Sequence, residues 1–480
     1  MSRIASLAFI TAAVSLVGTA AAPAQTDAQS KQLSHDILKQ LIEINTTDSV
    51  GSTTVAAQAM AQRLLDAGFP KEDITVLGPN DRKGNLIARF RGTGQAKPIL
   101  FIGHLDVVEA LRSDWSTDPF QLVEKDGYYY GRGTQDMKED DAILLTTFIR
   151  LKQEGYRPDR DLILALTADE EGGKYNGVEW LLKNHRELIT ADFVINPDGG
   201  GVDLEHGKPI TVEINASEKL YADYQLSATN PGGHSSRPVP DNAIYHIAAA
   251  VSRIAAYTFP FELNPTTRAY FERMSRIETG RTADEMKAVL KTPPDKDAEV
   301  ALAKNPEYNA SMRTTCVATR LSGGHANNAL PQSAEAIVNC RILPGHSPEE
   351  IRLELIRVCN DPKVTVRYID NAGDIFDTAP QRQALPPQAL RPEVVNPVEE
   401  IAREMWPGAP VLPVMAAGAS DGILTNAAGM PTYGISGIAL ETNDVRAHGK
   451  DERLPIDSYD HGVEFFYRYI KLLSGGADQR

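Results

Sequence analysis

The sequence predicts an α/β fold in which a mixed, largely parallel sheet carries helices on both faces, with a smaller α+β domain inserted into it. Short, continuous apolar runs at 98–102 and 162–166 are typical of strands that are buried on both faces. Such runs alternate with segments of helical apolar spacing, for example 138–154, as in proteins built around a parallel sheet. The pattern changes after residue 214 and resumes near residue 397, so a second domain is predicted to interrupt the first.

The predicted elements can be placed in chain order within three parts of the chain. In the first part of the larger domain, residues 25–214, we expect helices at 31–44, 55–67, 138–154 and 178–188, and strands at 73–78, 84–90, 98–102, 128–130, 162–166 and 192–195. In the smaller domain, residues 215–372, we expect strands at 221–228, 334–343 and 364–369, helices at 243–256 and 348–359, and a polar, proline-rich insertion at 258–309. The remainder, residues 373–480, begins with a linker at 373–395 and predicts helices at 397–405, from 421 and through 467, and strands at 410–415 and 431–435.

The composition limits the partners and the compartment. A formal net charge of −15 argues against nucleic acid or an anionic membrane surface as the partner. Residues 1–24 combine Arg3, an apolar stretch too short to span a bilayer comfortably and a small-residue cleavage site, which together predict a signal peptide. We therefore expect export, to a bacterial periplasm, without stable membrane association after cleavage; an uncleaved membrane anchor is the alternative.

The chain has three cysteines, Cys316, Cys340 and Cys359, and none has the spacing of a metal site. In an oxidising compartment one pair of them could form a disulfide. The sequence does not indicate which pair.

Histidines and carboxylates follow the ends of several predicted strands. They are His104, Asp106, Asp136, Glu170, Glu171, Asp198 and, in a loop before the final helix, His448. Sites in open α/β sheets form outside the carboxyl ends of the strands, so these side chains are expected to converge. Taken alone, the Glu170–Glu171 pair could be a solvated acidic turn, but the other strand ends favour a metal site.

The number and type of these side chains indicate two metal ions. Two histidines and three or four carboxylates exceed the ligands of one tetrahedral ion, whereas they suit two ions that share a carboxylate, roughly 3.5–4 Å apart in such sites. Nitrogen and oxygen ligands without thiolate favour Zn²⁺, with Mn²⁺ or Co²⁺ as alternatives. Asp106 is suitably spaced to fix the imidazole of His104.

Five motifs resemble the M20 family of metallopeptidases, which includes carboxypeptidases, dipeptidases, aminoacylases and succinyl-diaminopimelate desuccinylase. They are Gly-His-Leu-Asp-Val-Val at 103–108, Gly-Arg-Gly-Thr-Gln-Asp-Met-Lys at 131–138, Asp-Glu-Glu-Gly-Gly at 169–173, Gly-Gly-His-Ser-Ser at 232–236 and Ser-Asp-Gly at 420–422. The resemblance covers nearly the whole chain after the leader. The chain departs from the family at Glu139, where a glycine is usual, and many members have glutamate at the position of Asp198.

The resemblance implies a role for each matching residue. His104 and Asp198 would bind one zinc ion, Glu171 and His448 the other, with Asp136 bridging them, Glu170 as general base and Asp106 orienting His104. His234, in a smaller lid and dimerisation domain, would stabilise the oxyanion, in many members from the partner subunit of a homodimer. Asn328 and Arg341 match contacts to the substrate carboxylate, and Ser420 lies in a loop like that of the desuccinylase.

The predicted function is therefore that of a dinuclear zinc-dependent amidohydrolase or exopeptidase. It would cleave the amide bond of small peptides or N-acyl amino acids that carry a free carboxylate, using a metal-bridging water and Glu170 as the base. Arg341 can bind such a carboxylate with two hydrogen bonds. The alternative is a catalytically inactive periplasmic binding protein on the same scaffold. A third hypothesis is a phosphoester hydrolase, but nothing in the sequence resembles a phosphate cradle, which argues against it.

Overall fold

The computed structural model describes residues 27–370, 373–381, 390–416 and 418–475. Outside these ranges lie the predicted signal peptide, the centre of the predicted linker and the last five residues. Among the described residues, no helix combines the length and the apolar character that crossing a membrane requires.

The elements follow the predicted alternation. The first part of the chain contains α1 (Asp27–Glu43), α2 (Thr53–Asp66), β1 (Ile74–Leu77), β2 (Asn85–Phe90), β3 (Ile99–His104), β4 (Val123–Lys125), β5 (Tyr128–Tyr130), α3 (Lys138–Gln153), β6 (Leu162–Thr167), α4 (Gly177–Asn184), α5 (Arg186–Ile189), β7 (Phe193–Asn196), β8 (Gly201–Glu205) and β9 (Lys208–Glu218). The middle part contains β10 (Leu220–Thr229), β11 (Gly233–His234), α6 (Ala243–Ala256), α7 (Pro265–Ile277), α8 (Gly280–Val289), α9 (Lys296–Leu302), α10 (Pro306–Ser311), β12 (Thr315–Gly323), β13 (Ala329–Leu330), β14 (Ser333–Ile342), α11 (Pro348–Cys359), β15 (Thr365–Ile369) and β16 (Ile375–Phe376). The last part contains α12 (Pro392–Met405), β17 (Val411–Ala416), α13 (Gly422–Ala427), β18 (Thr432–Gly434), β19 (Ala439–Glu441), β20 (Arg453–Pro455) and α14 (Ile456–Ser474).

The large sheet is mixed, with a parallel centre, as predicted. Its strand order is β1-β2-β6-β3-β7-β18-β9-β8-β19, with β17 also paired to β9. The four central strands β6, β3, β7 and β18 are mutually parallel, and every residue of β3 and β6 is buried. One face packs on α1, α2, α3, α12 and α14, and the other on α4 and α5, so the sheet has a core on both faces and the predicted fold class is confirmed.

A second sheet of five antiparallel strands, in the order β12-β14-β10-β15-β16, lies in the middle part of the chain. Helices α6 and α11 cover one of its faces. Cys316 and Cys340 are directly opposed on β12 and β14 and form a disulfide, whereas Cys359 is free and buried. The sequence left this pairing open because it depends on the register between two strands.

The insertion between α6 and β12 forms four helices, α7–α10, around a small apolar core that includes Phe271 and Met286. Helix α7 packs on β17 of the large sheet, where the Arg273 guanidinium donates to the carbonyl oxygen of Val411 at 2.6 Å. The inserted helices therefore pack against the large sheet, and the chain that follows them begins β12 of the small sheet. The linker is shorter than predicted, because α12 begins at Pro392.

Candidate active site

The carboxyl ends of the central strands bring the predicted residues to one edge of the large sheet. Parallel strands β3 and β6 are in register from Ile99 opposite Leu162 to His104 opposite Thr167. Strand β7 lies on the other side of β3 and ends at Asn196, two residues before Asp198. The ends of these three strands therefore place His104, the 169–171 turn and Asp198 side by side.

The turn after β6 is held by its own contacts. Asp169 has a left-handed backbone with a φ of 57°, and its buried carboxylate accepts hydrogen bonds from the Lys83 ammonium and from the N–H of Tyr175 at 3.2 Å. A Cβ at Gly173, whose φ is 114°, would lie 2.3 Å from the Asp169 carboxylate, so only glycine fits there. This turn fixes the direction in which Glu170 and Glu171 leave the strand.

Asp136 lies between the two predicted histidines. Its Oδ1 is 3.0 Å from Nε2 of His104, and its Oδ2 is 3.0 Å from Nε2 of His448. His448 Nε2 is also 2.8 Å from a carboxylate oxygen of Glu171. Donor atoms of His104, Asp136 and Glu171 lie within 4.8 Å of one another, and so do those of His104, Glu170 and Asp198. The structure thus brings together all five predicted metal ligands and Glu170.

Asp106 contacts both histidine and glutamates, but through different atoms. Its carbonyl oxygen is 3.0 Å from Nδ1 of His104, closer than its carboxylate at 3.9 Å. The carboxylate instead accepts the backbone N–H groups of Glu170 at 3.1 Å and Glu171 at 3.0 Å. Asp106 therefore orients His104 with its main chain and fixes the turn of the two glutamates with its side chain.

Burial and charge shift the titration of these groups. Burial alone would lower the pKa of His104, but the hydrogen bond with Asp136 and the nearby carboxylates raise this pKa well above its usual value. Burial raises the pKa of Glu170 to about 8, aided by the charges of Asp421 and Glu171. Burial, with repulsion from Glu170 and Asp136, also raises the pKa of Asp198 well above normal. The cluster thus holds more negative charge than its two imidazoles balance.

The donor set fits two divalent cations. It consists of imidazole nitrogens and carboxylate oxygens, which suit Zn²⁺ and related ions, and one carboxylate, Asp136, presents one oxygen to each histidine. Cations would also lower the pKa values of Glu170 and Asp198, which burial and, to a lesser extent, repulsion between the carboxylates raise.

Ser420 contacts neighbours that the sequence did not indicate. Its hydroxyl donates to Glu218 at 2.7 Å and accepts from the Asn196 amide at 3.0 Å. The adjacent Asp421 is buried and accepts hydrogen bonds from Asn176 at 2.6 Å and Thr167 at 3.3 Å. Ser420 therefore links the end of β9 to the end of β7, and Asp421 links the end of β6 to the start of α4.

The three remaining predicted residues lie in the middle part of the chain. His234, on β11, is exposed, and its Nδ1 is 2.8 Å from the Ser236 hydroxyl. It pairs with Ala329 next to Asn328, whose carbonyl oxygen accepts the N–H of Ser235 at 3.1 Å. The Arg341 guanidinium lies 4.8 Å from the ring centre of Tyr221. Within the described residues, no hydrogen bond or ion pair connects His234 to the histidine–carboxylate cluster.

Sequence reasoning missed one buried residue beside the cluster, Glu452. It accepts hydrogen bonds from the segment that carries Asp136 and lies four residues after His448. Its position in a short polar stretch carries no periodicity, so no local signal could have indicated its burial.

Comparison with known proteins gives the family. Residues 100–472 match the model of peptidase family M20/M25/M40. The chain is 30% identical over 408 residues to the Dictyostelium discoideum protein named "Probable carboxypeptidase S-like 2", covering 81% of this chain and 74% of that one. It is 28% identical to the human N-fatty-acyl-amino acid synthase/hydrolase PM20D1, covering 94% and 89%.

Solved structures agree with the fold. The M20 family metallo-carboxypeptidase Sso-CP2 from Sulfolobus solfataricus superposes with a TM-score of 0.66 at 19% identity, covering 92% of this chain and 99% of that one. The dipeptidase Dug1p from Saccharomyces cerevisiae gives a TM-score of 0.63 at 16% identity, covering 95% and 100%. The chain belongs to the M20/M25/M40 peptidase family and is a hydrolase, as the motifs predicted.

Proposed function

We propose that this protein is a dinuclear zinc-dependent amidohydrolase that cleaves the amide bond of small peptides or N-acyl amino acids with a free carboxylate. The observation that carries the proposal is the placement of Asp136, with one carboxylate oxygen 3.0 Å from each histidine. His104 and Asp198 would hold one cation and Glu171 and His448 the other. Zn²⁺ is favoured by the nitrogen and oxygen donors, and Mn²⁺ or Co²⁺ would fit the same set.

The chain's own residues would carry the proton transfers. Two bound cations would supply Lewis acidity that polarises the scissile carbonyl and acidifies the attacking water. Glu170 takes the proton from this water and passes it to the nitrogen of the leaving amine. In the metal-free protein burial raises the pKa of Glu170 to about 8, and nearby cations would lower this pKa, so that the ionised carboxylate can accept the proton.

The middle part of the chain would supply substrate contacts. His234 donates a hydrogen bond to the oxygen of the tetrahedral intermediate, and Asn328 and Arg341 bind the substrate carboxylate. Because His234 is exposed and bonded to Ser236 in its own chain, we propose that it acts in the active site of the other subunit of a homodimer. The carboxypeptidase and N-fatty-acyl-amino acid hydrolase names of the relatives support a substrate of this class. The leader at 1–24 supports export to the periplasm.

Glu170→Gln tests the mechanism, with Glu179→Gln, an exposed residue of α4, as the control. Glu170→Gln should lose roughly 10²–10⁴-fold in kcat while it retains two equivalents of zinc by elemental analysis. A panel of dipeptides and N-acyl amino acids identifies the substrate. Full activity of Glu170→Gln would refute the mechanism, and a metal-replete wild type inert on the whole panel would support the binding-protein alternative.

A further inference from the structure

Two loops from distant parts of the chain meet beside Asp136. The bridging loop, residues 131–136, ends at Asp136, and the histidine loop, residues 444–453, contains His448. Between them lies the carboxylate of Glu452, whose relative exposure is 0%. The proposed function assigns no role in binding or catalysis to Glu452.

The Glu452 carboxylate accepts hydrogen bonds from three residues of the bridging loop. One carboxylate oxygen accepts the backbone N–H of Gly133 at 3.1 Å and that of Gln135 at 2.7 Å. The other accepts a hydrogen bond from the guanidinium of Arg132, which is itself 2% exposed. Since Gln135 immediately precedes Asp136, these bonds fix the backbone from which the shared carboxylate extends.

The same residues also fix the histidine loop. The Arg132 guanidinium donates to the carbonyl oxygen of Gly449 at 3.0 Å, immediately after His448. The side-chain oxygen of Gln135 accepts the N–H of Arg446 at 2.6 Å, and its amide nitrogen donates to the carbonyl oxygen of Arg453 at 2.6 Å. Side chains of each loop therefore form hydrogen bonds with the other loop, next to Asp136 and His448.

His448 depends on this support. Its side chain is 54% exposed and its backbone has a φ of 63°. Among the described residues, the hydrogen bonds and ion pairs of its ring are with the carboxylates of Asp136 and Glu171. By contrast, the nearly buried ring of His104 is also held at its second nitrogen by Asp106.

We propose that Glu452 is a positioning residue that aligns Asp136 with His448 and thereby sets the affinity for the second cation, the one held by Glu171 and His448. The inference rests on the proposed function. Glu452→Gln keeps the size of the side chain but replaces an acceptor oxygen with an NH₂ group, and it leaves the buried Arg132 without its anion. Loss of a partner that orients metal ligands typically costs 10–100-fold in affinity.

The test is calorimetric titration of the metal-free full-length protein with Zn²⁺. Glu452→Gln should bind the second equivalent 10–100-fold more weakly and the first equivalent with a smaller loss, because Asp136 is shared by both cations whereas the loop of His448 serves only the second. Glu299→Gln is the matched control, because Glu299 is also buried and accepts a hydrogen bond from a buried arginine, Arg313, at 3.0 Å, but lies in the inserted helices. This control should bind both equivalents as the wild type does.

The outcomes separate the inference from the proposed function. Wild-type affinity for both equivalents in Glu452→Gln, or an equal weakening of both, would overturn the inference. A wild-type protein that fails to bind two equivalents would overturn the proposed function instead. If Glu452→Gln does not fold, Gln135→Ala carries the test, since it removes the three side-chain hydrogen bonds of Gln135 with the histidine loop while leaving the buried ion pair. It should weaken the second equivalent selectively, and unchanged binding of both would again refute the inference.

Discussion

Asp106 and Glu452 perform matching tasks beside the histidine–carboxylate cluster, but they extend from different parts of the fold. Each is a buried carboxylate that accepts two backbone N–H groups of a ligand-bearing segment, the 169–171 turn for Asp106 and the bridging loop for Glu452. Asp106 follows directly from β3 at the centre of the sheet. Glu452 lies in a loop just before the short strand β20.

This difference separates a rigid side of the site from an adaptable one. The His104 side is set by the register of parallel strands and is almost fully buried, since the His104 side chain is 2% exposed. The His448 side is assembled by hydrogen bonds between residues more than 300 positions apart in the chain. We therefore expect the first cation to bind tightly and the second to respond to changes in the loops.

Substitution of the two histidines is expected to have the largest effect on activity and to test the contrast between the two sides of the site most directly. His104→Ala removes a buried imidazole between carboxylates and should cost about 10³-fold or more in kcat/KM, since loss of Lewis-acid stabilisation is worth several kcal/mol. His448→Ala should cost roughly 10²-fold and release only one equivalent of metal. Elemental analysis after gel filtration, together with kcat/KM, measures both effects. His461→Ala, an exposed histidine of α14, is the control, and equal losses in the two variants would remove the contrast.

A smaller effect is expected from Asp106→Asn, the counterpart of Glu452→Gln. The amide nitrogen cannot accept the second of the two backbone N–H groups, so the turn carrying Glu170 and Glu171 loses one of its supports. We expect a 10–100-fold loss of kcat/KM, with weaker binding of the cation held by Glu171 and His448, because the backbone carbonyl of Asp106 still orients His104. Calorimetric titration of both variants provides the measurement. If Asp106→Asn leaves the binding of both equivalents unchanged, the 169–171 turn does not depend on the Asp106 side chain.

The contrast also explains what could be predicted from the sequence. His104, the Glu170–Glu171 pair and Asp198 follow continuous apolar runs, and the carboxyl ends of parallel strands meet at one edge of a sheet. Glu452 could not be predicted, because its burial results from contacts with residues near 132 that no local pattern encodes. The roles of His234, Asn328 and Arg341 rest on the family resemblance alone, because short exposed segments give no indication of what they face.

The pH dependence of the metal-free protein provides a further test of the His448 side. Hydrogen bonds with Asp136 and Glu171 raise the pKa of His448 to about 10, against about 6.5 for an ordinary histidine. A raised folded-state pKa contributes stability that is complete below pH 6.5 and is lost as the pH rises toward 10. The wild-type Tm should therefore fall relative to that of His448→Ala over this range. Because Glu170 and His104 titrate in both proteins, the difference reports the interaction of His448 with Asp136 and Glu171.

Calorimetric scans from pH 6 to 10, in chelator, measure this difference. Saturating zinc should abolish the pH dependence of this Tm difference, because the cation replaces the proton at His448. A Tm difference that is constant over the range would contradict the assignment of the raised pKa to contacts of His448.

The smallest expected effect tests how tightly the bridging loop is held. Gly133 has a φ of 90°, and a Cβ there would lie 2.9 Å from Cδ of Lys138 and 3.0 Å from a methyl group of Val107. Lys138 cannot move aside freely, because its buried ammonium donates to the carbonyl oxygens of Leu41 at 2.8 Å and Ile44 at 2.9 Å.

Gly127→Ala is the matched control for Gly133→Ala, because Gly127 has a φ of 79° and no heavy atom of the described residues within 4 Å of the added Cβ. Both substitutions carry the cost of a left-handed alanine, about 1–2 kcal/mol, and only Gly133→Ala adds crowding, about 1–3 kcal/mol. Denaturant unfolding of the metal-free proteins should show Gly133→Ala to be the less stable by this second amount. Equal stabilities would mean that the bridging loop yields to the added methyl group, and that the His448 side is more adaptable than the contacts of Glu452 indicate.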